Sequence, residues 1–354
     1  MNSVYSPATP AEFVELVRAK PRILPVGART KPGLSSASAD VALISTKRIK
    51  GILEYEPDEY TFTALAGTPI ADLQEVLREK GQYLPFDPFL VAAGATLGGT
   101  VASGLSGPGR FRFGGIRDFI LGVQFIDGSG RLLRLGGKVV KNAAGFDLPK
   151  FFTGSLGCFG ALIELTFKVF PRPSGQLTLR LPVADGESAA RIFMAAANSR
   201  WEPDALDLLP SGGAVAFRIA GPREALPKIA DEILGRWPGD VLPEKAAELL
   251  WSELREFSWA DPAGILAKIA ITPRAVPALI GAVRALNGTV HVSSGGNVAF
   301  ASLPSGANLA DLGLPSLVLK GSPLPGNIDR PVTAISLAVK AALDPDNRFP
   351  SPNT

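Results

Sequence analysis

The sequence is 354 residues long, 46% apolar and 19% charged, with 36 Lys and Arg against 33 Asp and Glu for a net charge of +3. That supplies apolar material for about two folded domains, and the charge surplus is too small to argue for nucleic acid or an anionic membrane, leaving a phosphate-sized anion as a compatible partner. One cysteine, Cys158, and one histidine, His291, exclude an internal disulfide, an iron–sulfur cluster ligated by this chain alone and multi-histidine metal sites.

The first residues lack a basic start, an apolar run or a twin-arginine, so the expected location is the cytoplasm. AEFVELVRAK at 11–20 has helical spacing, and RILPVG at 22–27 and FTALAG at 62–67 read as strands. PIADLQEVLREKG at 69–81 reads as a helix with Thr68 as N-cap, Pro69 at its first position and Gly81 as its stop. Residues 88–109 carry no charge, long enough to span a bilayer, but six of them are glycine, which predicts buried, tightly turning main chain instead. Strands follow at 121–127, 132–137 and 161–170. Past Pro171 and Pro173 the pattern changes to strand 176–183, helix 187–199, strands 205–210 and 213–221 and helix 225–237. A second set follows: strand 264–272, helix 275–286 and strands 289–293 and 297–303. Two such units predict an antiparallel sheet with helices on one face, and a last helix near 331–343 precedes a Pro-rich tail. The fold class is α+β.

Seventeen of the 38 glycines fall between Gly94 and Gly160, where backbone must bend or approach something closely. The familiar phosphate motifs are absent: no GxGxxG follows a strand, and Gly137-Lys138 is followed by Val139, not Ser or Thr. Three stretches remain. PVGARTKPG at 25–33 follows a strand, and its glycines allow a backbone nest for a diphosphate with Arg29 and Lys31 adding charge, or else form a solvated basic turn. In 92–109, Gly98 and Gly99 begin a helix whose amides face an anion, with Thr96, Thr100, Ser103 and Ser106 offering hydroxyls, or else allow close helix packing alone. In 154–157, GSLG presents backbone to an adenine or ribose, or else forms a plain turn before a strand.

The ordered succession of PVGARTKPG, ATLGGTVASG, RFGGIRDFILG, KNAAGFDL and GSLGCFGALIE resembles the PCMH-type FAD-binding domain of the vanillyl-alcohol oxidase and D-lactate dehydrogenase flavoproteins. Within that family the KNAAGFDL form and compact second half look most like the FAD-binding subunits of bacterial glycolate oxidases. The resemblance implies a two-subdomain FAD-binding domain over 1–173 and a compact α+β cap-like domain over 174–354 with an antiparallel sheet, C-terminal helix and tail. It places the pyrophosphate on Pro25, Val26, Gly27, Ala28, Arg29, Thr30 and Lys31 with Thr96, Leu97, Gly98, Gly99, Thr100, Ser103 and Gly104. Gly154, Ser155, Gly157 and Ile163 fall toward the adenine, and Asp118 joins the cofactor-binding set. No histidine or cysteine stands in 27–30, so the implied FAD is non-covalent. The implied role is flavin-mediated electron transfer in a complex oxidising glycolate to glyoxylate. A sister FAD-containing catalytic subunit and an iron–sulfur subunit would be partners, and any membrane association would run through them.

Oxidising a 2-hydroxy acid needs a base for the hydroxyl proton and a cation for the carboxylate. His291, in the alternating strand TVHVS, reads as a structural histidine more readily than a base. Arg110, Arg112 and Arg117 are candidate carboxylate clamps, or else paired surface or ligand-phosphate arginines, and Arg117 also suits an ion pair with Asp118. Cys158 reads as a small buried residue and the four tryptophans as core or interface. Two rival readings stay open: a stand-alone FAD-dependent 2-hydroxy-acid oxidoreductase, and a flavin-free scaffold.

Overall fold

The computed structural model describes residues 3–35, 37–137, 148–321 and 333–351. In chain order the first part contains β1 (Val4–Tyr5), α1 (Pro10–Ala19), β2 (Ile23–Val26), β3 (Ala42–Ser45), β4 (Ile52–Glu56), β5 (Thr61–Leu65), α2 (Ile70–Glu79) and β6 (Gln82–Tyr83). Next come α3 (Leu97–Ser103), α4 (Arg110–Phe113), β7 (Ile120–Ile126), β8 (Leu132–Gly136), α5 (Leu148–Phe151), β9 (Ala161–Lys168) and β10 (Phe170–Pro171). The second part contains β11 (Gly175–Pro182), α6 (Gly186–Ala197), β12 (Ala205–Leu208), β13 (Ala214–Gly221), α7 (Leu226–Arg236), β14 (Asp240–Val241) and α8 (Glu244–Glu256). It closes with β15 (Ile265–Ala270), α9 (Val276–Ala285), β16 (Thr289–Ser293), β17 (Val298–Leu303), β18 (Ser316–Lys320) and α10 (Ala334–Leu343).

The chain forms two compact units: Met1–Leu105, Gly115–Pro171 and Arg330–Thr354 in the first, Ser106–Gly114 and Arg172–Asp329 in the second. This differs from a single cut after residue 173. The C-terminal segment belongs to the first unit because its polar groups are spent there. Arg348 Nη1 donates to the carbonyls of Val17, Arg18 and Lys20 at the end of α1, and the Arg348 carbonyl accepts Ile23 N at 2.7 Å. Phe349 joins Phe13, Val17, Ile23 and Ile44 in a buried cluster. Each large apolar side chain sealed this way contributes about 1.5–3 kcal/mol.

In the first unit, β1-β3-β2 is a parallel sheet and β4-β5-β9-β7-β8 an antiparallel one. The α2 start differs from expectation. Pro69 is its N-cap without a side-chain bond, because Thr68 Oγ1 is already engaged with both main-chain groups of Gly51. Gly81, at φ 65°, ends the helix as its lack of Cβ allows.

In the second unit, the described strands form one sheet ordered β14-β11-β13-β12-β16-β17-β15-β18. Two β-α-β-β sets, β11-α6-β12-β13 and β15-α9-β16-β17, supply six of its eight strands, with β14 and β18 at its edges, and β12 meets β16 at one registered pair, Leu208 with Val292. Alternation sends Leu206, Leu208, Val215, Phe217, Val290 and Val292 to the face covered by α6, α7 and α9. The other face is not bare as expected: Trp251 and Leu254 of α8 pack there against Ala205, Ala214 and Ala216. Residues 331–332 of the expected last helix lie outside the described residues. Among the described residues no helix is long and apolar enough to cross a membrane.

Candidate functional site: a main-chain cleft in the first unit

Strand β2 holds its parallel register with β3 as far as Val26 and Ser45, and there the chain turns at Gly27. A Cβ on Gly27 would stand 2.3 Å from Thr96 Oγ1, so only glycine lets this loop close against the start of α3. Arg29 follows in the left-handed region at φ 57°, an uncommon conformation for a side chain of that size. Among the described residues, the amides of Ala28, Arg29 and Thr30 have no acceptor, which makes this bend a concave set of donors. Lys31 is buried, and its ammonium donates to Thr30 Oγ1 at 3.1 Å.

The opposite wall is α3. Thr96 caps it by accepting Gly99 N at 3.3 Å. The expectation that its first amides face an anion does not hold: Leu97 N donates to Thr68 O, Gly98 N to Ala66 O and Thr100 N to Thr96 O. The hydroxyl protons of Thr100 and Ser103 likewise go to the carbonyls of Thr96 and Thr100. Helix α3 therefore offers a smooth wall, with Gly99, Ala102 and Ser103 on the cleft, and the 27–30 loop supplies the donors. Gly98 instead packs on Ala66, where a Cβ would meet another at 2.7 Å.

The third wall is the turn at 154–157. Gly154 N and Leu156 N donate to the carbonyls of Val101 and Ala102, tying the turn to α3. Gly154, Leu156 and Gly157 all have positive φ, at 79°, 48° and 77°. A Cβ on Gly157 would come within 3.3 Å of Pro25 Cδ, and one on Gly104, at φ 64°, would stand 3.0 Å from Gly154 Cα. The resulting open cleft is lined by Pro25, Gly27, Ala28, Arg29, Thr30, Lys31, Thr96, Gly99, Ala102, Ser103 and Leu156, with Leu24, Leu34 and Ser35. Ser155 Oγ, in a residue only 4% exposed, has no partner among the described residues. A nest of free amides, two cations and a bare glycine wall fit the diphosphate of a dinucleotide.

Other sequence candidates lie elsewhere. Ile163 is fully buried in the cluster with Phe13 and Val17, and its carbonyl accepts Ala66 N, so its side chain is core. Asp118 forms no ion pair with Arg117; its carboxylate accepts Gly115 N at 2.8 Å and orders that turn. Arg110 belongs to the second unit with Arg112, which pairs with Glu202 at 2.8 Å. Most of KNAAGFDL, residues 141–147, lies outside the described residues. Sequence reasoning missed Leu156 and Ala102 on the cleft; their positions inside GSLG and between Thr100 and Gly104 were the available signals.

In the second unit, His291 is fully buried. Its Nε2 lies 2.8 Å from Asp207 Oδ2, while Asp207 Oδ1 accepts Ser293 Oγ and Ser294 N at 3.0 Å each. The imidazole packs between Phe300, stacked at 5.9 Å, and the edge of Trp259. Among the described residues no three His, Cys, Asp or Glu side chains are grouped to hold a metal ion.

Residues 2–136, which carry the amide loop and α3, match the FAD binding domain family. That stretch is similar to FAD-binding domains. The chain is 39% identical over 213 residues to glycolate oxidase subunit GlcE of Escherichia coli (strain K12), covering 58% of this chain and 56% of that one. It is 32% identical over 167 residues to a D-2-hydroxyglutarate dehydrogenase of Xanthomonas citri pv. viticola, covering 46% and 35%, and 30% over 145 residues to glycolate oxidase subunit GlcD of Bacillus subtilis, covering 41% and 31%. The chain thus spans about half the length of the first relative and about a third of the other two. A solved alkyldihydroxyacetonephosphate synthase superposes with TM-score 0.70 at 16% identity, covering 99% of this chain and 77% of that one, a likeness of fold. The cofactor of the first unit is FAD.

Proposed function

We propose that this chain is the FAD-binding subunit of a complex that oxidises glycolate, or a closely similar 2-hydroxy acid, to the corresponding 2-oxo acid. The observation that carries this reading is the burial of His291. A base must come within roughly 2.6–3.2 Å of the proton it takes. The only histidine of the sequence has no exposed surface and is engaged by Asp207. With that histidine sequestered, this reading assigns the proton-accepting step to a sister flavoprotein, and the GlcE and GlcD relatives, each named as a subunit of a glycolate oxidase, support an assembly of several subunits. An iron–sulfur subunit as electron acceptor is part of the same reading.

When bound, FAD supplies the ring that accepts and passes on electrons. The chain's own residues bind and orient it. The amides of Ala28, Arg29 and Thr30 would hold the diphosphate, with Arg29 and Lys31 offsetting its charge and Gly99 leaving the α3 wall free of a side chain. The cleft lining contains no cysteine or histidine, which supports non-covalent attachment.

The test is to purify the chain alone and with co-expressed partners, then record the flavin spectrum and turnover of a panel of 2-hydroxy acids with an artificial electron acceptor. The expected result is a yellow chain that releases its flavin on denaturation and turns over substrate only with partners. Robust turnover alone replaces this reading with the stand-alone oxidoreductase. Folded protein that stays colourless in excess FAD leaves the scaffold.

A further inference from the structure

Lys340 inverts the usual pattern of a helix: it is 5% exposed, while Ile335 and Leu337 of the same helix are 71% and 47% exposed. A buried ammonium is expensive unless its donors are met. Here it has four acceptors: the Asp344 carboxylate and the carbonyls of Phe349 at 2.9 Å, Pro350 at 3.0 Å and Cys158 at 2.9 Å. The first three lie on its own helix and tail. Cys158 lies 182 positions earlier.

Cys158 closes the turn that forms the third wall of the cleft, its amide donating to Ser155 O at 3.0 Å. Leu156 lines the cleft from that turn in a left-handed conformation, which is strained for a residue with a side chain unless other contacts hold it. The amides of Gly154 and Leu156 are anchored on α3, which fixes the leading half of the turn. On the trailing half, the Lys340 ammonium holds the main chain through a charge-assisted bond.

We propose that Lys340 is a positioning residue of the flavin cleft: by gripping the Cys158 carbonyl it sets the 154–157 turn against Pro25 and α3, although it touches no cleft-lining side chain. This rests on the reading of that cleft as the FAD site.

Two variants separate positioning from plain stability. Lys340→Met removes the ammonium but strands the Asp344 carboxylate, so Lys340→Met/Asp344→Asn is made beside it to discharge the partner. For each, the FAD dissociation constant of the apoprotein, the visible circular dichroism of the bound flavin and the apoprotein melting temperature are measured. The expected result is at least about tenfold weaker FAD binding and an altered flavin dichroism in both variants, including the double variant as its melting temperature returns toward wild type. A double variant with wild-type affinity and dichroism overturns the proposal. Folded wild-type protein that takes up no FAD overturns the cofactor reading first and this proposal with it, a result seen before any variant is compared.

Discussion

The Nε2 atom of His291 lies 2.8 Å from Oδ2 of Asp207, and neither side chain has any exposed surface. Because β12 and β16 share one registered pair, this carboxylate, with its further bonds to Ser293 and Ser294, is a main tie between the two halves of the sheet. Asp207→Ala strands three buried partners and is expected to destabilise the second unit by about 3–5 kcal/mol in urea unfolding. His291→Gln should leave kcat of the assembled complex within a few-fold of wild type. A large loss of kcat with unchanged stability would make His291 a catalytic residue after all.

Gly99 and Gly27 face the cleft for different reasons. Gly99→Trp places a ring in the cleft proposed for the diphosphate and should abolish flavin retention with an unchanged far-ultraviolet spectrum. Gly27→Val, whose Cβ alone would stand 2.3 Å from Thr96 Oγ1, should cost about 1–3 kcal/mol of stability as well as flavin. Flavin absorbance after gel filtration and thermal melting separate the two.

Arg29 yields opposite signs for folding and binding. Arg29→Gly relieves the left-handed strain and should leave the apoprotein as stable as wild type or up to about 1 kcal/mol more so, while FAD binding weakens about tenfold and loses part of its salt dependence. Titration of apoprotein with FAD at two ionic strengths checks this. Equal affinity in both proteins would show that the side chain does not meet the phosphates.

Much of this was legible in the sequence because it is local. The strands at 22–27, 121–127 and 289–293 and the loop at 25–33 announce themselves through β-branched runs and glycine spacing, and the structure places them close to those bounds. The helix α8 was also readable, from Leu250, Trp251 and Leu254 on one face, yet escaped notice beside the stronger strand patterns. What no local pattern carries is partnership across distance. Asp207 lies 84 residues from His291, and Cys158 lies 182 from Lys340. The occupied amides of α3 are a tertiary outcome too, since their acceptors, Ala66 and Thr68, sit beyond the helix.

Glu232 provides a pH test in the second unit. The hydrogen bond from Arg200, followed by that from the Trp201 indole at 3.2 Å, holds its carboxyl below the ordinary glutamate value. A depressed folded pKa stabilises the fold above the unfolded pKa, and that contribution disappears as pH falls through the lower folded value. Acidification should therefore change Trp201 fluorescence at a pH below the usual glutamate midpoint, and Glu232→Gln should remove that step. An identical acid profile in the variant would assign the change to another carboxylate.

The clasp of Arg348 on the end of α1 has a consequence for biosynthesis. The N-terminal unit cannot finish its own interior until residues 333–351 have left the ribosome, after the whole of the second unit has been made. Nascent chains paused before that point would leave the cluster of Phe13, Val17 and Ile23 without Phe349, so the first unit closes its interior only after the second has been synthesised.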